Sequence, residues 1–304
     1  MKLLVTGAVN WSKNHLNIFE QAGHEVVFAC DEKVSLEMQN IDPSQFEGVI
    51  CNGLFLYNDI KRFTRLRFIQ LTSAGYDRVP LEYINDRKIK IFNARDVYSV
   101  PMAEFAVCGV LSLYKQMRFF MDNQKIHRWE KKRNLLELSG KTVCIIGCGS
   151  VGRACAVQFE AFGCYVVGVS RTKKSYIGFD KVEDLAALPY ILPESDIVVL
   201  AVPLTDETYH MFSFEQFEKM KCNSLLVNIS RGAVVNTEAL LNAIESGKLL
   251  GAVLDVFEEE PLEQSSRLWD FDNVIITPHN SFVGERNEDR MFDVVIKNLY
   301  GFSD

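Results

Sequence analysis

The sequence predicts an α/β protein built from two doubly wound parallel-sheet units. Three observations carry that expectation. Short apolar runs rich in β-branched residues recur along the chain, and runs of this kind read as strands buried on both faces, as in parallel sheets. Helical patterns lie between them, and strand–helix alternation argues for a doubly wound sheet. The series pauses at a long apolar helical stretch after Val100 and then begins again; 304 residues are enough for two cores.

In chain order, the first series offers strands at 2–6 (KLLVT), 25–30 (EVVFAC), 48–51 (GVIC), 67–72 (RFIQLT) and 89–93 (IKIFN). Between the first pair, NHLNIFEQAG is a helix closed by Gly23. The stretch from Val100 to Arg128 is apolar nearly all round in its first half and reads as one long helix with Pro101 in its first turn. Such a helix joins two domains or packs on a second subunit. The second series places strands at 141–146, 164–169, 196–201, 224–229, 250–255 and 273–277. NTEALLNAIESGK is a helix with Asn236 as N-cap and Gly247 as stop, and the tail GERNEDRMFDVVIKNLYGF is a final amphipathic helix.

Composition narrows the class. The chain is nearly half apolar and carries a net charge of −7, with no long basic run, which argues against a general nucleic-acid binder. No segment approaches the ~18 consecutive apolar residues of a membrane helix. The opening MKLLVTGAVNW reads as a first strand rather than a signal peptide. Eight cysteines (Cys30, Cys51, Cys108, Cys144, Cys148, Cys155, Cys164 and Cys222) lack Cys-x-x-Cys spacing. They read as reduced, packed side chains of a cytoplasmic protein without a metal site.

VCIIGCGSVG carries G-x-G-x-x-G at Gly147, Gly149 and Gly152 between a strand and a helix. The first glycine permits the turn, the second admits a pyrophosphate and the third lets helix and strand pack. With Ser150 and Val151, this turn is the candidate phosphate site of a dinucleotide; the bland alternative is a packing turn. The next strand ends at Val169, so Ser170 stands where an acid usually holds the ribose, 18 residues after Gly152 against an expected ~20. Ser170, Arg171, Thr172 and Lys173 follow instead, with Lys174 beyond. A hydroxyl and a guanidinium suit a 2′-phosphate, so NADP(H) is favoured, with NAD(H) possible. The alternative is a solvated basic loop.

Three later segments each end a strand, where open α/β sheets place ligands. They are LVNISRGAVVNTEALL, GAVLDVFEEEPL and VIITPHNSF, bearing Arg231, Glu260 and His279, with Asp255 also available. Reduction of a 2-oxo acid needs a cation for its carboxylate and carbonyl oxygen, which suits Arg231. It needs a proton donor working near neutral pH, which suits His279, and a carboxylate that holds the imidazole, which suits Glu260. Asp255 is placed to take the nicotinamide end. Singly, each reads equally well as a surface arginine, one more charge in EEEP, or a loop histidine. All three follow strands of one sheet, which favours the joint reading.

ELSGKTVCIIGCGSVG, AVPLTDETYHMF, VNISRGAVVNTEAL, LDVFEEEPL and VIITPHNS together resemble the successive motifs of the D-isomer-specific 2-hydroxyacid dehydrogenases, from about Ile69 to Ser281. That family includes glyoxylate/hydroxypyruvate reductases, phosphoglycerate dehydrogenases and D-lactate dehydrogenases. The resemblance implies a flavodoxin-like substrate-binding domain over 1–98 plus 283–304 and a Rossmann NAD(P)-binding domain over 99–282, commonly a homodimer through the cofactor domain. It implies catalytic roles for Arg231, Glu260 and His279, and adds Val202, Pro203, Thr208, Ile229, Asp255 and Ser281 to the cofactor-lining residues. QLTSAGYDRVP resembles the loop whose amides hold the substrate carboxylate, nominating Ser73, Ala74 and Gly75; Asn52 and Gly53 are the first domain's other candidates.

The implied reaction is NAD(P)H-dependent reduction of a small 2-oxo acid, glyoxylate-, hydroxypyruvate- or phosphoglycerate-like, to the D-2-hydroxy acid. Two other readings compete. A nucleotide-sensing corepressor on the same fold would not need the full Arg–Glu–His set, and formate dehydrogenases of the superfamily resemble the family with glutamine in place of Glu260. One departure stands out: the family usually has a small pair after the histidine, where this chain has Asn280, Ser281 and Phe282.

Overall fold

The computed structural model describes residues 1–303. The chain divides into two compact units, Met1–Val97 with Gly284–Asp304, and Tyr98–Val283.

The first unit is a five-stranded parallel sheet. Its strands are β1 (Lys2–Thr6), β2 (Glu25–Ala29), β3 (Gly48–Cys51), β4 (Phe68–Leu71) and β5 (Lys90–Phe92), in the order β2-β1-β3-β4-β5. Every residue of β3 and β4 is buried, which explains why these runs show no alternation. The helix Lys13–Gln21 starts where the Ser12 side chain accepts the His15 N–H, and it stops at Gly23, whose φ is +86°. The last helix, Asn287–Ser303, buries Met291, Val295 and Leu299. Its Phe292 stacks on His15 and Phe19, with ring centroids 4.5 and 5.6 Å away. The same helix solves a core polarity problem: Gln70 is fully buried in β4, and Asn298 donates to its Oε1 at 2.7 Å while its own Nε2 donates to the Leu71 carbonyl.

The second unit is a seven-stranded parallel sheet of β6 (Thr142–Ile146), β7 (Tyr165–Val169), β8 (Lys181–Glu183), β9 (Ile197–Leu200), β10 (Ser224–Asn228), β11 (Leu249–Leu254) and β12 (Val274–Ile276). The order is β12-β11-β10-β9-β6-β7-β8, so the winding reverses beside β6. Alternate side chains feed two separate cores. Val143, Ile145, Ile197, Val199, Leu225 and Val227 face one, which the helix Ser99–Tyr114 covers with Ala103, Ala106 and Val110. Cys144, Ile146, Val198, Leu200 and Leu226 face the other, covered by the helix Thr237–Glu245 through Ala239, Leu240 and Ala243. The period-two alternation of β-strands produces both layers from one set of runs.

Three expectations need correction. The stretch after Val100 is two helices, Ser99–Tyr114 and Met117–Lys125, because Gln116 takes a left-handed conformation with φ +48°. The short, polar edge strand β8 carries no apolar run and leaves no signal in the sequence. Cys51, Cys144, Cys148, Cys155 and Cys164 are packed inside, but Cys30, Cys108 and Cys222 are exposed, and all eight are free thiols. Among the described residues, no helix is long and apolar enough to cross a membrane and no group of side chains could hold a metal ion.

Candidate active site

The turn after β6 is shaped by backbone crowding. Gly147 has φ +104°, and a Cβ there would lie 2.4 Å from the Ala201 carbonyl oxygen. A Cβ on Gly152 would meet the Gly147 carbonyl, so strand and helix touch through backbone alone. Gly149, between them, faces open space and caps the twelve-residue helix Ser150–Ala161. Ser150, Val151 and Gly152 thus sit in the first turn of a helix whose free N–H groups and positive dipole end favour phosphate. The turn lies where the winding reverses, the usual place for a nucleotide in such sheets. A dinucleotide pyrophosphate fits this cradle.

At the end of β7, the backbone N–H of Ser170 donates to the Glu183 carbonyl across the sheet. That pairing also brings acid to the basic loop. Lys173 Nζ lies 2.8 Å from Glu183 and 3.2 Å from Asp184. Hydrogen bonds from Lys173 and Lys181 hold the Glu183 carboxyl at about 2. Lys173 is therefore paired with carboxylates on the neighbouring strand end. Arg171 and Thr172 are exposed, and Arg171 makes no ion pair among the described residues.

Across the sheet, Thr208 Oγ1 donates to the Pro203 carbonyl at 2.7 Å and accepts the Thr205 N–H at 2.8 Å. Pro203 and Thr208 thereby hold the loop after β9 in one shape, beginning at the half-buried Val202. Ile229 is a different case, because its side chain is enclosed in the core under the helix Ser99–Tyr114 and lines no open surface.

Arg231, Glu260 and His279 sit on loops that follow β10, β11 and β12, three adjacent strands. Buried Asn228 braces the first loop: its Oδ1 accepts the Ser230 N–H and hydroxyl, and its Nδ2 donates to the Arg231 carbonyl. Arg231 Nη1 donates to the Ser230 carbonyl at 2.8 Å. The next residue, Gly232, is packed so tightly that a Cβ would lie 1.8 Å from the Phe257 carbonyl carbon. This contact joins the arginine loop to the glutamate loop. Glu260 Oε1 accepts the Phe257 N–H at 3.1 Å, and its Oε2 lies 2.8 Å from His279 Nδ1. Nε2 of His279 has no partner among the described residues.

The histidine is positioned by more than its glutamate. His279 has φ +51°, and its N–H donates to the carbonyls of Asp255 and Thr277. Asp255 is 1% exposed; its carboxylate accepts the Thr277 hydroxyl at 2.6 Å and the N–H groups of Asn280 and Ser281 at 2.7 and 2.9 Å. Asp255 therefore holds the histidine loop together from beneath. Ser281 is also buried, and its Oγ finds no hydrogen-bond partner. Phe282 sets its ring edge against both His279 and Tyr98, at 6.1 and 5.7 Å. Burial raises the Tyr98 hydroxyl to about 12, so this aromatic wall stays uncharged at physiological pH.

A second histidine–carboxylate pair braces the same region and has no motif to announce it. His210 Nε2 lies 2.6 Å from Glu258, whose other oxygen accepts the Thr237 N–H and hydroxyl. Burial opposes ionisation of Glu258, but Thr237 and His210 outweigh it and hold the carboxyl below its ordinary range. A carboxylate depressed by folding stabilises the protein above the unfolded value of ~4.3, and this is lost as pH falls through the folded value. The thermal midpoint of Glu258→Gln should therefore fall less steeply than that of the wild type below about pH 4.5. Parallel acid limbs in differential scanning calorimetry would remove Glu258 from the linkage.

In the first unit, the loop after β4 offers free donors. The Ser73 carbonyl accepts the Ala94 N–H and the Ala74 carbonyl accepts Asn93 Nδ2, while Ser73 Oγ donates to the Gly75 carbonyl. The backbone N–H groups of Ser73, Ala74 and Gly75 have no partner among the described residues. After β3 the situation is reversed. The N–H groups of Asn52 and Gly53 donate to Glu32, at 2.9 and 2.5 Å, so they are not available to a substrate carboxylate. Their partner is Glu32, 20 residues before Asn52 in the chain.

The family model for the NAD binding domain of D-isomer specific 2-hydroxyacid dehydrogenases matches residues 107–281. The chain belongs to this family. A glyoxylate reductase of Pyrococcus horikoshii is 37% identical over 280 residues, 90% of this chain and 79% of that one. A family protein from Aeromonas salmonicida subsp. salmonicida A449 has a structure that matches with TM-score 0.83 and 30% identity, covering 100% of this chain and 95% of its own. The family dehydrogenase of Xanthobacter autotrophicus Py2, solved in complex with NADPH and MES, matches with TM-score 0.77 and 28% identity over 97% of this chain and 92% of its own. This D-2-hydroxyacid dehydrogenase thus has the family's two parallel-sheet α/β architecture with a Rossmann-type nucleotide-binding unit. It is an NAD(P)-dependent oxidoreductase acting on small 2-oxo and 2-hydroxy acids.

Proposed function

We propose that the protein reduces a small 2-oxo acid of the glyoxylate and hydroxypyruvate type to the D-2-hydroxy acid, with NADPH as its preferred reductant. The observation that carries the catalytic assignment is the 2.8 Å contact between His279 Nδ1 and Glu260, which leaves Nε2 open on a rigidly held imidazole. Bound reduced nicotinamide supplies the hydride that C2 of the substrate receives. Protonated His279 donates from Nε2 to the carbonyl oxygen as negative charge grows there. Glu260 holds the ring and balances its positive charge. Arg231 pairs with the substrate carboxylate and polarises the carbonyl. In the first unit, the unpartnered N–H groups of Ser73, Ala74 and Gly75 are assigned to the carboxylate. Asp255 is assigned first to holding the histidine loop, and Ser281, Val202, Pro203 and Thr208 to the wall of the nicotinamide side.

The preference for NADPH rests on Ser170 and Arg171 where an acid would repel a 2′-phosphate. With Lys173 held by Glu183 and Asp184, Arg171 carries the contact. Arg171→Ala should raise KM for NADPH about 10–100-fold, the loss of one or two charge-assisted hydrogen bonds. KM for NADH should hardly change, and Lys173→Ala should stay within about threefold for either cofactor. Wild-type kcat/KM as high with NADH as with NADPH would defeat the cofactor preference and leave the reductase reading standing. Loss of NADPH absorbance with a panel of 2-oxo acids tests that reading directly.

A homodimer through the cofactor unit is part of the same proposal. The segment after Gln116 exposes Met117, Met121, Ile126 and Trp129, the last 95% exposed and lining a groove of about 780 Å³ with Phe120. That is more apolar surface than a lone helix needs to show to water. Eight free thiols support a reducing, cytoplasmic setting.

A further inference from the structure

We infer that Glu32 is a specificity-determining residue that excludes 2-oxo acids with an anionic tail. The inference rests on the proposed function, and in particular on the carboxyl edge of the first sheet contributing to substrate recognition.

The order β2-β1-β3-β4-β5 reverses its winding between β1 and β3. In sheets of this kind, the crevice beyond the strand ends at that reversal is where ligands bind. Here a side chain of the protein itself fills it. Glu32 follows β2, and one carboxylate oxygen accepts both the Thr6 hydroxyl at the end of β1 and the Asn52 N–H just past β3, each at 2.9 Å. The other oxygen accepts the Gly53 N–H at 2.5 Å. Donors that would otherwise greet a phosphate or carboxylate are taken by a carboxylate already present. The crevice thus holds the Glu32 carboxylate, with the Thr6 hydroxyl and the backbone N–H groups of Asn52 and Gly53 already taken by it.

A phosphate or second carboxylate entering it would meet like charge at short range, the repulsive element by which sites reject a competitor. A hydroxyl or a cationic tail would find the Glu32 carboxylate as an acceptor. Phosphoglycerate-type substrates are therefore set against, and glyoxylate, hydroxypyruvate or a cationic 2-oxo acid favoured. The three bonds of Glu32 also hold the ends of three strands, so its removal has a structural side that the test must separate.

The experiment compares kcat/KM for hydroxypyruvate with that for 3-phosphohydroxypyruvate and 2-oxoglutarate, in the wild type, Glu32→Gln and Glu32→Asp. The wild type should favour hydroxypyruvate over either anionic substrate by about tenfold or more. Glu32→Gln should narrow that ratio about tenfold, Glu32→Asp should keep it, and KM for NADPH should not move in either variant. A purely structural role would lower activity on all substrates together and leave the ratio unchanged, which overturns the inference. So would a wild type that turns over the anionic substrates as well as hydroxypyruvate, a result that decides the matter even if Glu32→Gln does not fold. No turnover with any 2-oxo acid would instead defeat the proposed function itself.

Discussion

His279→Gln should lower turnover by about 10²–10⁴-fold, the range that a positioned acid–base group contributes, with NADPH affinity nearly intact. The expectation follows from how the imidazole is held. Nδ1 faces Glu260 at 2.8 Å, so a protonated ring has one transferable proton, on Nε2. Glutamine can still meet Glu260 through its amide but cannot deliver a proton near neutral pH. The loop should survive the change, because its N–H bonds to Asp255 and Thr277 come from backbone. Fluorescence titration with NADPH and steady-state kinetics with glyoxylate separate binding from chemistry. Turnover within tenfold of wild type would take the histidine out of the proton-transfer step.

Gly232→Ala is the second large effect, and it involves no group that reacts. One methyl at this position would collide with the Phe257 carbonyl, whose carbon lies 1.8 Å from the Cβ site, and the obstacle is backbone that cannot rotate away. Relief requires the arginine loop and the glutamate loop to part by more than an ångström. Overpacking of this kind costs about 1–3 kcal/mol of stability, and a displacement near 1 Å at a catalytic constellation costs about 10²-fold in rate. Arg231 sits beside Gly232, and Glu260 is tied to the Phe257 N–H, so both would shift. We expect kcat/KM to fall about a hundredfold with a lowered melting temperature and normal NADPH binding. A variant with wild-type kinetics and melting would show that the two loops can separate without consequence.

The fold was readable because parallel strands buried on both faces leave unbroken apolar runs. The strand that escaped, β8, is three residues of Lys-Val-Glu on a sheet edge, where nothing requires an apolar run. The break at Gln116 escaped too, since a single left-handed residue leaves an apolar pattern intact on either side. At the candidate site, the placement of Arg231, Glu260 and His279 after adjacent strands was legible because each follows a recognisable apolar run. Glu32, Gly232 and the His210–Glu258 pair were not. Their significance lies in what they touch, and those partners stand 20 or more residues away in the chain. Lys173 teaches the converse: a basic cluster reads as available positive charge until the neighbouring strand's acids are placed against it.

The helix Asn287–Ser303 has a consequence for how the molecule is made. It supplies Met291, Val295 and Leu299 to a unit whose sheet is complete by residue 92, and its Asn298 answers the buried Gln70 amide oxygen. On the ribosome, the opening unit emerges first and must wait through some two hundred residues of other structure before that covering arrives. Over that interval Phe19 and the underside of β4 lack their final lid, while the nucleotide-binding unit, contiguous in the chain, can finish on its own. The order of synthesis and the order of completion are therefore opposite, and a released chain truncated before residue 287 would hold a finished cofactor unit tethered to an unfinished, sticky one.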